Sequence, residues 1–275
     1  MTGTIRVKFR GVRGSVACPG PRTARYGGNT PCVEVHCGER LIIFDGGTGI
    51  RELGDELLAA GTAIDADIFL SHTHIDHIGG LPFFAPFYEK GHRFRIWSGH
   101  SAPGSGTRDA ISRMMGEPIF PIGPEVFKAE IAYRDFRAGE TLAPAPNLSL
   151  RTAPLDHPGG ATGYRLDFGG RALAYLTDNE TRKDIDPGLI ALARGADLAI
   201  YDCTYTDAEI SSKRGWGHSS WREGLRLADA AGVKTFCLFH HAPEHDDDVM
   251  DRIVAEARKI RPGTIAAVEG QVIDL

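Results

Sequence analysis

The residues His72-Thr73-His74-Ile75-Asp76-His77 put three imidazoles and one carboxylate into six consecutive positions. They follow, after Ser71, the largely apolar run 66–70 and come shortly before Gly79-Gly80. This density of metal-binding groups constrains the fold, because side chains that converge on a cation must be delivered to one place by elements that end there. In α/β architectures the carboxyl ends of strands face the crevice where ligands bind. The chain offers more strand ends of this kind. Residues 32–45 read as a hairpin turning at Cys37-Gly38-Glu39, and residues 164–178 as a second turning at Gly169-Gly170. Their second strands end on Asp45 and Asp178. The buried runs 197–201 and 235–239 lead into Asp202 and His240.

Helices are predicted between these strands. Residues 48–60 carry Ile50, Leu53, Leu57 and Leu58 at helical spacing and stop at Gly61. Asp186-Pro187 caps a helix ending near Gly195, and Ser220-x-x-Glu223 is a capping box opening one that runs to Gly232. A last helix spans about residues 247–261 and halts at Pro262. The stretch Ala143-Pro144-Ala145-Pro146 reads as a surface turn, too short to separate domains. The expectation is an α/β chain of mixed sheets with helices outside, forming one domain over residues 1–275.

Composition removes several classes. A formal charge of −5 gives no basic field for holding long nucleic acid, although a local cation would still attract a small anionic substrate. No apolar run approaches the roughly 18 residues that cross a bilayer, and the first 20 residues carry charges and glycines where a signal peptide is apolar. A cytoplasmic protein with no membrane partner is expected. The five cysteines are odd in number and lack CxxC spacing, so they read as small buried hydrophobes.

If the chain stays extended from Ser71 to Asp76, then His72, His74 and Asp76 point one way and His77 another. One segment would then serve two metals. Imidazole and carboxylate suit zinc, manganese or iron, and hydrolytic metal pairs sit roughly 3.5–4 Å apart.

The run from His72 to His77 resembles the signature of the metallo-β-lactamase fold superfamily. The resemblance implies a four-layer αββα sandwich with its metals at one edge of the paired sheets. It also implies roles for residues elsewhere. Asp45, in Phe44-Asp45-Gly46-Gly47, matches the aspartate that orients a ligand histidine. His157 matches the histidine that joins His72 and His74 on the first metal. Asp178 matches the bridging carboxylate. His240 matches the histidine that joins Asp76 and His77 on the second metal, and Asp76 is expected to serve catalysis as well. Because His240 and His241 are adjacent, only one can face the site in an extended strand. His240 is chosen because it directly follows Cys237-Leu238-Phe239, leaving His241 in a supporting position. His245 reads as a solvated helix start, and His36, His92 and His100 are given no role.

Details narrow the branch. Asp178 stands at the position that the resemblance gives to a cysteine in true β-lactamases, and the residues after His240 are too few for a glyoxalase-type helical domain. The segment Trp216-Gly217-His218-Ser219-Ser220 resembles the His-Ser-Thr loop of the RNase Z group of phosphodiesterases, with His218 either a general acid or a histidine that starts a helix. Asp202 either replaces that group's acidic loop or is a structural cap. The glycine-rich stretch from Gly11 to Thr30 either connects two elements or exposes N–H groups and a guanidinium to an oxyanion. In the second case Arg13, Ser15 and Asn29 bind substrate. Only about 20 residues separate His157 from Asp178, too few for the long arm of tRNA-processing members. The resemblance therefore implies a hydrolase with two divalent cations, zinc first and manganese second, that attacks a small phosphodiester or cyclic nucleotide with hydroxide. The alternative is a lactonase or other carboxyl-ester hydrolase. A homodimer is implied by resemblance alone.

Overall fold

The structure is a computed structural model that describes residues 3–101, 106–182 and 184–275. It opens on β1 (Ile5–Gly11), where Ile5, Val7 and Phe9 are buried and alternate with charged residues. Antiparallel pairing then brings in β2 (Cys32–Cys37) and β3 (Arg40–Phe44), and parallel pairing adds β4 (Asp65–Leu70), β5 (Arg93–Ser98) and β6 (Glu130–Asp135). The second sheet holds β7 (Thr141–Ala145), β8 (Leu148–Leu155), β9 (Ala161–Phe168), β10 (Arg171–Leu176), β11 (Leu198–Asp202), β12 (Thr235–Phe239) and β13 (Ile265–Ala266). The chain returns through β14 (Val272–Asp274) to the free side of β1, so each sheet has seven strands.

The two sheets pack face to face over a buried layer that includes Phe9, Phe44, Phe69, Tyr164, Tyr175, Ile200 and Phe239. Phe44 stacks on Tyr175 with ring centroids 5.0 Å apart, joining one sheet to the other. Outside the first sheet lie α1 (Ile50–Ala59), the single turn α2 (Ile75–Ile78), the short 3₁₀ turns of residues 81–88 and α3 (Thr107–Met114). Outside the second lie α4 (Pro187–Ala193), the single turn α5 (Asp207–Ile210), α6 (Trp221–Ala231) and α7 (Asp247–Ile260). The layers run helix, sheet, sheet, helix, giving the expected αββα sandwich.

Local chemistry explains the main boundaries. Ser220 accepts the Glu223 N–H and the Glu223 side chain accepts the Ser220 N–H, while Gly232 closes α6 at φ 63°. Asp186 accepts the Gly188 N–H at 2.7 Å to start α4, and Asp246 accepts the Val249 N–H at 3.0 Å to start α7. Two expectations are corrected. Residues 143–145 belong to β7, and the turn comes after them, at Pro146 and Asn147, where Asn147 takes φ 61°. The chain is extended only through His74, then winds into α2, because the Gly79 N–H bonds back to the Ile75 carbonyl. Among the described residues no helix is long and apolar enough to cross a membrane.

Candidate metal centre

Three strands deliver a residue within two positions of their ends to one edge of the sandwich in an unusual backbone state. Asp45 after β3, Asp178 after β10 and His240 after β12 have φ of 60°, 60° and 61°. This left-handed region is costly for a residue with a Cβ, and such strain persists where the surroundings over-determine it. Here the strand pairing fixes the backbone on one side, and buried partners hold the side chains on the other.

Asp45 is the floor of the site. Fully buried, it accepts the Ser71 N–H at 2.7 Å, the Tyr175 hydroxyl at 2.7 Å and His77 Nδ1–H at 2.9 Å, with the Ser71 hydroxyl at 2.9 Å. The bond to Nδ1 turns His77 Nε2 upward into the cleft. A comparable arrangement recurs at His72, His157 and His240. His157 Nδ1 donates to the Gly217 carbonyl at 2.8 Å, and the Nδ1 atoms of His72 and His240 lie 3.1 and 3.0 Å from the hydroxyls of Ser71 and Thr204. A held Nδ1 sets the ring's orientation and leaves Nε2 for a metal.

The inward atoms form two groups around Asp178. Oδ2 lies 3.7 Å from His72 Nε2 and 3.6 Å from His157 Nε2. His74 completes this side, its Nδ1 being 3.0 Å from His157 Nε2. Oδ1 lies 3.3 Å from His77 Nε2 and 3.2 Å from His240 Nε2, and Asp76 Oδ2 lies 3.3 and 3.4 Å from the same two nitrogens. The structure thus brings together His72, His74, Asp76, His77, His157, Asp178 and His240.

These residues fit divalent cations. The Nε2 atoms of His72, His77 and His240 are buried with no hydrogen-bond partner, a state that costs free energy and that a metal ligand resolves. Burial, reinforced by His77, holds His72 well below the usual imidazole range, and burial with His157 lowers His74, so both are neutral and able to ligate. Burial would raise the carboxylates, yet the imidazoles facing them hold Asp76 and Asp178 below their ordinary values. At His77 burial is outweighed by Asp178, Asp76 and Asp45, and the imidazole lies well above its ordinary value. A cation held there by His77 would take that proton's place.

His218 stands beside the centre. Its ring stacks on His240 with centroids 4.9 Å apart, and its Nδ1 donates to Asp202 Oδ2 at 2.8 Å. Asp202 is thus the partner of His218, and its bonds to Thr204 make it a cap of the following chain as well. It also accepts from the Asn179 N–H and the Thr204 hydroxyl. Burial pulls His218 down, but the Asp202 charge and hydrogen bond, followed by Asp178 and Asp76, lift it to about 9.

The N-terminal stretch differs from its expected use. Arg13 is fully buried, and its guanidinium donates to the carbonyls of Gly27, Ala242 and His245 at 2.8, 3.0 and 2.5 Å. It ties the loop down and is turned away from any substrate. Asn29 is also engaged inside the protein, by Thr48 and Glu269. Ser15 touches the centre, but through its backbone: at φ 64° its N–H donates to Asp76 Oδ2 at 2.8 Å. His241 points away from the cleft, with Nε2 donating to the Ala267 carbonyl at 2.9 Å, and its backbone pairs with the Val12 to Gly14 segment. His245 is buried against Glu209, 2.9 Å away, and is no solvated helix start.

Sequence reasoning missed Tyr175 and His100. Tyr175 reaches Asp45 across the sandwich, and only the buried phenol's need for a partner hints at it. His100 sits between Ser98 and Thr73, at 2.7 and 3.1 Å, with its ring 6.3 Å from that of His72.

Residues 40–241 match the family model described as Beta-lactamase superfamily domain. The chain is 28% identical to Ribonuclease Z of Bradyrhizobium sp. (strain ORS 278), over 86% of this chain and 90% of that one. It is 25% identical to Ribonuclease Z of Haloarcula marismortui, over 97% and 95%. Among solved structures, the metallo-beta-lactamase fold protein YhfI from Bacillus subtilis superposes with a TM-score of 0.73 at 19% identity, covering 99% of this chain and 100% of that one. A diphosphatase from the PhnP family gives a TM-score of 0.69 at 18% identity, covering 99% and 97%. Fold, centre and relatives define a class, the metal-dependent hydrolases. Within that class the chain belongs to the metallo-β-lactamase superfamily and is RNase Z-like.

Proposed function

We propose that the protein is a dinuclear phosphodiesterase acting on a small anionic phosphodiester, cyclic nucleotides included, with zinc as first and manganese as second choice of cation. The observation that carries this reading is Asp178, whose two oxygens face different imidazole pairs at 3.2–3.7 Å. Each pair has one more ligand of its own, His74 on one side and Asp76 on the other. When bound, two cations supply Lewis acidity and a water whose pKa falls toward about 7.

The chain's own residues supply the rest. Asp76 and Asp178, both ionised, bring the negative charge that holds cations in a cleft otherwise lined by imidazoles. The Ser15 N–H keeps Asp76 turned inward. Asp202 fixes the His218 ring and favours its protonated form, and His218 Nε2 has no hydrogen-bond partner among the described residues. A proton held there suits a leaving alkoxide, which departs poorly as an anion, and such donors contribute about 10²–10⁴-fold.

Two features favour a small substrate, and a third favours the chemistry. The residues between His157 and Asp178 are taken up by the β9–β10 hairpin of the second sheet. The formal charge is −5, where long nucleic acid needs many phosphate contacts from Lys and Arg. The relatives at 25–28% identity are named for phosphodiester cleavage. Five free cysteines, four of them buried, suit a reducing compartment, and we place the reaction in the cytoplasm.

The test is a panel of bis(p-nitrophenyl) phosphate, 2′,3′- and 3′,5′-cyclic nucleotides and lactones, run on protein reconstituted with zinc or manganese and analysed for metal. Turnover of phosphodiesters with close to two metals per chain is expected. Turnover confined to lactones overturns the assignment.

A further inference from the structure

Glu180 is a buried carboxylate that belongs to neither ligand group. It lies two residues past Asp178, at 9% exposure, and no Lys or Arg nitrogen of the described residues lies within 4.0 Å of it. Its charge is instead met by backbone. The Gly215 N–H reaches its two oxygens at 3.0 and 2.8 Å, and the Gly217 N–H reaches Oε2 at 3.0 Å. Its own N–H donates to the Asp156 carbonyl at 2.8 Å, which keeps it level with the neighbour of His157. Charge-assisted bonds of this kind are roughly twice as strong as neutral ones.

The clamped loop touches the centre at two consecutive residues. The Gly217 carbonyl accepts His157 Nδ1–H at 2.8 Å. Gly217 has φ 84°, and a Cβ added there would sit 2.3 Å from His157 Nδ1, so the loop lies directly against that ring. The next side chain is His218, paired with Asp202. We propose that Glu180 is a positioning residue: by holding Gly215 and Gly217 it sets the Gly217 carbonyl against His157 and the His218 ring against Asp202. Ligation by His157 and proton delivery by His218 are thereby fixed together by one carboxylate. The second half of this statement rests on the phosphodiesterase reading, and the first does not.

Removing the clamp should loosen the loop without detaching it. Arg214, at the loop's start, donates to the Thr181 carbonyl at 2.6 Å and to Glu223 at 2.7 Å. The experiment compares the full-length zinc-loaded protein with Glu180→Ala and Glu180→Gln. It measures zinc affinity by chelator competition and kcat on a methyl and a p-nitrophenyl phosphodiester. In Glu180→Ala, affinity for one of the two zincs should fall about 10–100-fold, the usual cost of losing the group behind a ligand histidine. The methyl ester should lose at least about tenfold more kcat than the p-nitrophenyl ester, whose anion leaves without a proton. Glu180→Gln keeps the shape and one acceptor, and should show the same changes at reduced size. A fall in Tm with zinc affinity and the kcat ratio unchanged makes Glu180 a stability residue only and overturns the proposal. If Glu180→Ala does not fold, an unchanged Glu180→Gln overturns it equally. If the unsubstituted protein cleaves neither ester, the phosphodiesterase reading fails, and the zinc measurement still decides whether Glu180 positions His157.

Discussion

Asp202→Asn should separate proton delivery from metal binding, because Asp202 holds His218 and is none of the seven candidate ligands. Burial alone would hold His218 below the ordinary imidazole value of 6.5, and the Asp202 charge leads the causes that lift it to about 9. The lesser contributions of Asp178 and Asp76 are those that bound cations would offset, so about 9 is an upper bound for the loaded enzyme. With Asn the main raising cause is gone, and the value returns to about 6.5 or lower. At pH 8 a pKa of about 9 leaves about 90% of His218 protonated and a pKa of about 6.5 leaves about 3%, so up to about 30-fold of kcat is at stake on an alkyl ester. The sign for stability follows from the same shift. A pKa raised by folding stabilises fully below pH 6.5, and the contribution is lost as pH rises through about 9. The assay is kcat against pH from about 6 to about 10 on methyl and p-nitrophenyl phosphodiesters, with metal content checked at each end. The descending limb should move down by about one to two pH units on the methyl ester, and little change should be seen on the other. An unmoved limb, or equal losses on both esters, would refute the acid role of His218.

Other perturbations address the centre and its supports. Asp178→Asn should lower occupancy of both metal positions, since each oxygen faces a different imidazole pair, and elemental analysis finding full occupancy would remove it from the bridge. Tyr175→Phe deletes one hydrogen bond to the Asp45 carboxylate and should cost about 2 kcal/mol in denaturant unfolding, with folded structure retained; no loss would mean that Asp45 does not depend on the second sheet. His241 is fully buried, and burial holds it at about 3, so below pH 6.5 the unfolded chain takes a proton that the folded one refuses. Stability should therefore fall by about 2 kcal/mol from pH 7 to pH 5 through this residue, and a urea titration of His241→Gln with the same acid slope would contradict it.

What the sequence discloses and what it hides divide along physical lines. The ligand run, both hairpins and the capped helices α4, α6 and α7 are local facts: spacing, turn residues and N-terminal caps lie within a few positions of one another. The strand β5 is hidden because Arg95 and Trp97 stand where core residues belong. Both are accommodated by Asp67, a buried carboxylate on the neighbouring strand that accepts Arg95 Nε–H at 2.6 Å and Trp97 Nε1–H at 2.8 Å. The orientation of Asp76 is hidden in another way. An extended chain would have placed it beside His74, and only the family resemblance set it with His77 and His240; the turn of α2 that carries it there has four residues and no side-chain cap to announce it.

Arg13 shows the limit of reading chemistry from residue type. A guanidinium among glycines reads as an anion binder, and the same five donors serve equally well to gather backbone carbonyls in a buried loop. Which use prevails depends on the chain's far end, since two of its three partners, Ala242 and His245, lie 229 and 232 positions away. The consequence reaches the centre. Arg13 and the backbone of His241 hold the loop in which Ser15, two residues on, is forced to φ 64° and donates its N–H to Asp76. A residue expected to meet the substrate thus acts on a ligand from behind, through a backbone conformation that no local rule predicts for serine.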